Sequence, residues 1–151
     1  MSEAPSEVLV RQGRPEDLER ILEIERASFS FPYGPSVFLH YLYRGEGRIL
    51  VAETQGEVIG YVIVDIRLNR MGLIVSIATD PEHRRKGVGS LLIVRALGSL
   101  RTIAKEVQLQ VAVTNEAAQR FYMKHGFEIV SILRAYYPNG EDAFLMRRRL
   151  V

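Results

Sequence analysis

Residues 7–13, EVLVRQG, alternate apolar and polar side chains, which predicts a short β-strand. Pro15 then stands where the first position of a helix tolerates it, with Glu16 and Asp17 favourable in the first turn. Leu18, Ile21, Leu22 and residues 24–29 supply the expected buried face of that helix. A Pro- and Gly-broken aromatic segment, FSFPYGPSVF (29–38), leads into a second short helix expected to end near Arg44. RILVAE and VIGYVIVDIR predict two strands turned on each other at Gln55-Gly56, and GLIVSIAT (72–79) predicts a further one. Gly87 and Gly89 open a helix whose Leu91, Leu92, Val94, Ala96, Leu97, Leu100 and Ile103 recur at helical spacing. VQLQVAV (107–113) reads as a strand before the helix NEAAQRFYMKHG (115–126), and FEIVSILRAYY and DAFLMRRRL predict the last two strands. The order β-α-α-β-β-β-α-β-α-β-β argues an α/β (α+β) fold, about seven strands in a mixed sheet with about four helices on its faces.

No low-complexity run, long linker or internal repeat interrupts this pattern, so residues 1–151 read as one domain with a flexible stretch at about 1–6. A domain of about 150 residues buries roughly 70% of the surface its unfolded chain exposes, so packing alone can stabilise it. The chain has no cysteine, which excludes disulfides, thiolate metal sites and a cysteine nucleophile. Its longest apolar stretches, such as residues 59–66, fall far short of the ~20 residues of a membrane span, and MSEAPSE lacks a signal pattern. A cytoplasmic protein without a membrane partner is expected. The pI near 9.0 comes from a net charge of only +2, which predicts no nucleic-acid partner unless the basic residues cluster. They do so at 84–86 and at 147–149.

RRKGVG (84–89) lies between a predicted strand and a predicted helix. Two glycines let backbone approach a ligand, a helix start presents unpaired N–H groups, and Arg84, Arg85 and Lys86 add positive charge. By itself the hexapeptide is equally a basic surface turn. It is neither a Walker loop, lacking GK[ST], nor a dinucleotide fingerprint. Arg84, Gly87 and Gly89 match [QR]-x-x-G-x-[GA], the signature of the GNAT superfamily of N-acetyltransferases, which this chain resembles. SIATDPEHRRKGVGSLLI is similar to that family's acetyl-CoA segment, and NEAAQRFYMKHGF (115–127) to its N-x-x-A-x-x-[FL]-Y-x-x-x-G-F segment. YYPNGEDAFLM (136–146), RPEDL (14–18) and the FPY of the first loop resemble one branch, the protein N-terminal acetyltransferases of the bacterial ribosomal-protein alanine type and the Ard1-like type.

The resemblance implies a GNAT fold and direct transfer of acetyl from acetyl-CoA to the α-amino group of a protein N-terminus. It puts carbonyl polarisation on backbone N–H groups of Ile77, Ala78 and Thr79, with Ala78 the oxyanion contact, and the pyrophosphate on Arg85, Lys86, Gly87, Val88, Gly89 and Ser90 beside Arg84. Tyr122 is implied as the general acid toward the leaving thiol, and Asn115 as a cofactor contact. Phe31, Pro32, Tyr33, Tyr136 and Tyr137 are implied to flank the acceptor. Taken singly, Phe121 and Tyr122 could be core aromatics and Asn115 a helix cap. Gly140, Glu141 and Asp142 read as a hairpin turn and not as an acid–base pair.

The acceptor side departs from the family. Relatives carry a glutamate base in a strand reading L-E-V, where this chain has Leu109-Gln110-Val111; Gln110 cannot take a proton, though it can hold a water. A tyrosine base used elsewhere is replaced by Leu73, and a first-loop glutamate by Tyr33. Presenting neutral lysine (pKa about 10.4) at pH 7 costs roughly 4.6 kcal/mol, against about 1 kcal/mol for an α-amine near 7.7–8.0. A weak-base site therefore suits N-termini. Two alternatives stay open: a lysine side chain or small-molecule amine as acceptor, and a catalytically weak acyl-CoA-binding module. His40, His83 and His125 show no metal-ligand spacing, and Arg147–Arg149 read as a solvated strand end, with ribosome docking as the alternative.

Overall fold

Gln55 and Gly56 both adopt left-handed backbone angles, φ 51° and 78°, the tight turn that β-hairpins favour because its twist matches that of the strands it joins. In the computed structural model, which describes residues 7–44 and 48–150, this turn joins β2 (Ile49–Thr54) to β3 (Glu57–Arg67). The other elements are β1 (Leu9–Gln12), α1 (Leu18–Ser28), α2 (Pro35–Arg44), β4 (Met71–Thr79), α3 (Val88–Leu100), β5 (Glu106–Ala112), α4 (Glu116–Lys124), β6 (Glu128–Leu133) and β7 (Ala143–Arg149). Short 3-10 turns precede α1 (Pro15–Asp17), β4 (Leu68–Arg70) and α3 (Pro81–His83). The strands form one mixed sheet in the order β1-β2-β3-β4-β5-β7-β6, the GNAT architecture expected. The stretch expected to be flexible, residues 1–6, lies outside the described residues.

The chain divides into two compact units, one running to Ile63 and including Ser76–Ala96, the other comprising Val64–Val75 and Leu97 onward. In the first, β2 pairs antiparallel with β1 (Val10 opposite Ala52) and with β3 (Val51 opposite Tyr61). Helix α1 has no side-chain cap, but it buries Ile21, Leu22 and Ile24. Each such side chain is worth roughly 1.5–3 kcal/mol, more than the ~1 kcal/mol of a cap, so packing holds this helix. Its turn is pinned by Asp17, which takes both Arg11 guanidinium nitrogens (2.8 and 3.0 Å) and the Arg14 N–H (2.8 Å). Gly60 is required by close approach, since a Cβ there would stand 3.0 Å from Leu92 Cδ1 and 3.1 Å from the Ala78 carbonyl oxygen.

In the second unit, β4 starts parallel to β5, pairing Met71, Gly72 and Leu73 with Glu106, Val107 and Gln108. β7 lies antiparallel to both β5 (Leu109 opposite Met146) and β6 (Ile132 opposite Phe144). Leu100, Ala104, Val107, Leu109, Phe127 and Met146 are buried here.

Three expectations need correction. Within residues 24–29, Arg26, Ala27 and Phe29 are exposed while Glu25 is buried, because the helical phase that buries Ile21 also buries its neighbour one turn on. On α3 the buried stripe is Leu92, Ile93, Ala96, Leu97 and Leu100. Val94 falls outside that phase and is 55% exposed. Ile103 lies beyond the helix end, where the Ala104 N–H folds back onto the Leu100 carbonyl, so the period no longer applies to it. Lastly, the strand expected over FEIVSILRAYY stops at Leu133, since Ala135 takes a left-handed φ of 50° and puts Tyr136 and Tyr137 in a turn.

Candidate functional site

Alternation along β4 buries Gly72, Ile74, Ser76 and Ala78, so Ile77 and Thr79 point to its other face. Where the strand ends, Asp80 becomes a hub of the first unit. Its N–H donates to the Ile59 carbonyl (2.8 Å), and its Oδ2 lies 3.0 Å from both an Arg20 guanidinium nitrogen and His83 Nδ1. Burial works to raise the Asp80 pKa, but the His83 hydrogen bond and the Arg20 charge overcome it and hold the carboxyl below the ordinary range. Arg20 Nε also donates to the Val58 carbonyl at 2.9 Å.

Beyond this hub the chain turns through Arg85 (φ 63°) and Gly87 (φ 82°). No heavy atom lies within 4 Å of a Cβ placed on Gly87, so glycine is needed there for its backbone angle and not for space. The Gly87 carbonyl accepts the Leu91 N–H (3.0 Å), so Val88, Gly89 and Ser90 form the first turn of α3, whose N–H groups lie at the positive end of the helix. Arg84, Arg85 and Lys86 are exposed beside it, and Val88 is buried as the anchor of the loop. Arg84 also braces the loop, its Nε donating to the Thr79 carbonyl (3.1 Å) and a terminal nitrogen to Ser28 Oγ (3.0 Å). A helix start with a positive approach favours anions, and the chemistry of these residues is compatible with a pyrophosphate. Phe31, Pro32 and Tyr33 belong to this unit too and are exposed between α1 and α2.

The second unit holds Gln110, Asn115, Tyr122, Tyr136 and Tyr137. Gln110 is half-buried opposite Leu145, on the polar face of β5, while Val107, Leu109 and Val111 fill the apolar one. Gln119 Nε2 donates to the Ala112 and Val113 carbonyls, both at 3.0 Å, and fixes the passage from β5 to α4. Asn115 caps α4, its Oδ1 accepting the Ala118 N–H at 3.1 Å. The half-buried Tyr122 ring meets Phe121 and Phe127 edge-on, with centroids 5.4 and 5.9 Å away. Burial, with Tyr137 second, pushes its hydroxyl above the usual phenol range. Tyr122 is therefore protonated at neutral pH and can donate.

Tyr136 and Tyr137 stack edge-on at 5.0 Å in the turn before β7. That turn closes through the Gly140 N–H on the Tyr137 carbonyl (2.8 Å) and the Tyr137 N–H on the Glu141 carbonyl (3.1 Å). Asp142 accepts the Ala135 N–H (2.8 Å) and Glu141 the Thr114 hydroxyl, so both carboxylates hold the turn. Among the described residues no three His, Cys, Asp or Glu side chains form a metal site, and no helix is long and apolar enough to cross a membrane.

The chain thus combines a mixed sheet, a glycine-opened helix start with basic neighbours after its fourth strand, and a tyrosine on the helix after its fifth. The acetyltransferase (GNAT) family model matches residues 18–127. The chain belongs to the GNAT acetyltransferase family. It is 35% identical over 153 aligned residues to an N-alpha-acetyltransferase of Sulfurisphaera tokodaii, covering 93% of this chain and 92% of that one. The crystal structure of Ard1 from Thermoplasma volcanium superposes with a TM-score of 0.90 at 29% identity, over 95% of this chain and 98% of the other. The ribosomal-protein-S18-alanine N-acetyltransferase of Escherichia coli gives 0.84 at 27% identity, over 95% and 94%.

This GNAT protein is thus an N-acetyltransferase whose donor is acetyl-CoA. Sequence reasoning missed four residues that organise it: Arg20, Glu25, Ser76 and Asp80. Two left a signal. Glu25 is a carboxylate on the apolar phase of α1, and Ser76 is a hydroxyl on the buried alternation of β4.

Proposed function

We propose that this acetyltransferase acts on the α-amino group of protein N-termini, in the cytoplasm. The observation that carries the acceptor class is the similarity, along nine-tenths of both chains, to the N-alpha-acetyltransferase of S. tokodaii. Acetyl-CoA supplies a thioester whose acyl carbon takes the amine nitrogen while the carbon–sulfur bond breaks. Loop residues Arg84 to Ser90 bind its pyrophosphate through α3 N–H groups and the charges of Arg85 and Lys86. Backbone N–H groups of Ile77, Ala78 and Thr79, past the Leu73 end of the β4–β5 ladder, hold the pantetheine and polarise the carbonyl, with Ala78 as the oxyanion donor. Asn115 contacts the cofactor. Tyr122 keeps its proton until the sulfur leaves and then donates it.

Gln110 holds a water that takes the amine proton. A neutral amide is a weak device, adequate for an α-amine of pKa about 8 and inadequate for lysine near 10.4. Phe31, Pro32, Tyr33, Tyr136 and Tyr137 flank the acceptor. The test is a panel of peptides with free N-termini, assayed at pH 7 with acetyl-CoA beside N-terminally blocked peptides carrying one lysine. Free N-termini are expected to react at least tenfold faster. Equal rates on the blocked lysine peptides would replace the α-amine reading with a lysine acceptor.

A further inference from the structure

Glu25 is the most completely buried carboxylate of the first unit, at 1% exposure, and nothing in the reaction as set out above uses it. A carboxyl in that position is unfavourable unless donors surround it, and a leucine would satisfy the helical phase at no such cost. Three donors do surround it. The Tyr33 backbone N–H reaches Oε2 (3.0 Å), and the Ser76 hydroxyl (2.9 Å) and the Tyr61 hydroxyl reach Oε1. Tyr61 is itself fully buried on β3, its ring set edge-on to Phe38 at 5.7 Å.

These partners belong to different parts of the reaction. Tyr33 lies in the exposed aromatic loop between α1 and α2, where Phe31 is 43% and Tyr33 42% exposed. Ser76 immediately precedes Ile77–Thr79 on β4. One carboxyl therefore joins the loop that faces the acceptor to the strand that faces the donor. A buried polar tie to the loop's backbone limits where its rings can stand.

We infer that Glu25 is a positioning residue for the acceptor, fixing the Phe31–Tyr33 loop against β4 through the Tyr33 N–H. This rests on the assignment of that loop to the acceptor. The charge of the carboxyl is not what matters. A glutamine in its place could still accept the Tyr33 N–H through its amide oxygen while its NH2 donates to the two hydroxyl oxygens, which can reverse roles. Alanine leaves all three donors without this acceptor.

The experiment measures acceptor KM, acetyl-CoA Kd by calorimetry and Tm for wild type, Glu25→Ala and Glu25→Gln, using the best peptide of the panel. Glu25→Ala is expected to raise acceptor KM at least tenfold with acetyl-CoA Kd within twofold. Glu25→Gln is expected to stay within threefold of wild type on both. If Glu25→Ala does not fold, the paired change Tyr61→Phe and Ser76→Ala removes the strand-side tethers at little change in volume and is expected to raise acceptor KM three- to fivefold. An unchanged acceptor KM in Glu25→Ala, or in the paired variant should the alanine form not fold, overturns the inference. Parallel losses in acceptor KM, donor Kd and Tm overturn it as well, since they mark Glu25 as a core residue only. A wild type that acetylates no N-terminal peptide refutes the acceptor reading alone, and the same variants are then compared on the amine it does use.

Discussion

From Asp80 to Ser90 the chain is fixed by charge: Asp80 between Arg20 and His83, Arg84 on Thr79 and Ser28, and a helix start flanked by Arg85 and Lys86. From Asn115 to Asp142 the residues proposed to react or bind are held by ring edges, backbone hydrogen bonds and two turn carboxylates, one of them also 3.6 Å from Arg134. Phe121, Phe127 and Tyr137 surround Tyr122, and the carboxylates of the turn are occupied with a hydroxyl and a backbone N–H. The difference suits the chemistry proposed for each region. A pyrophosphate is an anion that must be attracted and aligned, so exposed positive groups beside a helix start, one of them braced by a carbonyl and a hydroxyl, suit it. A proton donor must be neutral when a thiolate forms, and a phenol, whose ordinary pKa is about 10, meets that need at neutral pH without a charged neighbour.

The sharpest way to break the comparison is Tyr122→Phe. The ring contacts remain and the proton goes, so kcat is expected to fall about 100-fold or more, as loss of a general acid does. Donor affinity is expected to stay within about twofold. Steady-state kinetics beside calorimetric titration of acetyl-CoA read both. Unchanged turnover would remove Tyr122 from the reaction and favour another donor.

Asp80→Asn should do the reverse, weakening stability and donor affinity and leaving the chemical step alone. Breaking a largely buried, charge-assisted pair costs about 2 kcal/mol, which for a chain of this size lowers Tm by roughly 4–8 °C. Acid tests the same group without mutation. The folded-state pKa of Asp80 lies below the ordinary carboxylate value of about 3.9, so its contribution is complete above about pH 4 and is lost as pH falls through the folded value. In that interval the unfolded chain binds the proton and the folded one does not. Wild type is therefore expected to lose stability below pH 4 more steeply than Asp80→Asn, whose curve lacks this group. Parallel acid-unfolding curves would show that Asp80 carries no charge-dependent stability.

The same contrast explains what the sequence disclosed. Period and turn chemistry act locally, so eleven elements in the right order, the Gln55-Gly56 hairpin and the helix start at Gly87 were legible in it. Boundaries failed where a backbone angle or a helix phase decided, as at Ala135, Val94 and Ile103. The anion loop announces itself because glycines and three basic residues are contiguous. Glu25 is 36 residues from Tyr61 and 51 from Ser76 in the sequence, and only the fold brings them together. Gln110 was legible as a departure from a family pattern, and it stands half-buried on the polar face of β5.

Asn115 gives the smallest effect and the finest distinction, because it belongs to the neutral region yet is assigned a part in holding the donor. Its Oδ1 caps α4 through the Ala118 N–H, and alanine removes that bond. Loss of such a cap costs about 1 kcal/mol, or roughly 2–4 °C in Tm. Asn115→Asp retains a capping oxygen and sets a negative charge at a helix N-terminus, so its Tm should equal or slightly exceed that of wild type. What it loses is the amide NH2, the only donor of the side chain. If that NH2 meets the cofactor, the aspartate variant loses two- to fivefold in acetyl-CoA affinity with Tm intact, while the alanine variant loses both. An aspartate variant with wild-type affinity would leave Asn115 a cap alone, and the donor would then be held without a side-chain contact from the start of α4.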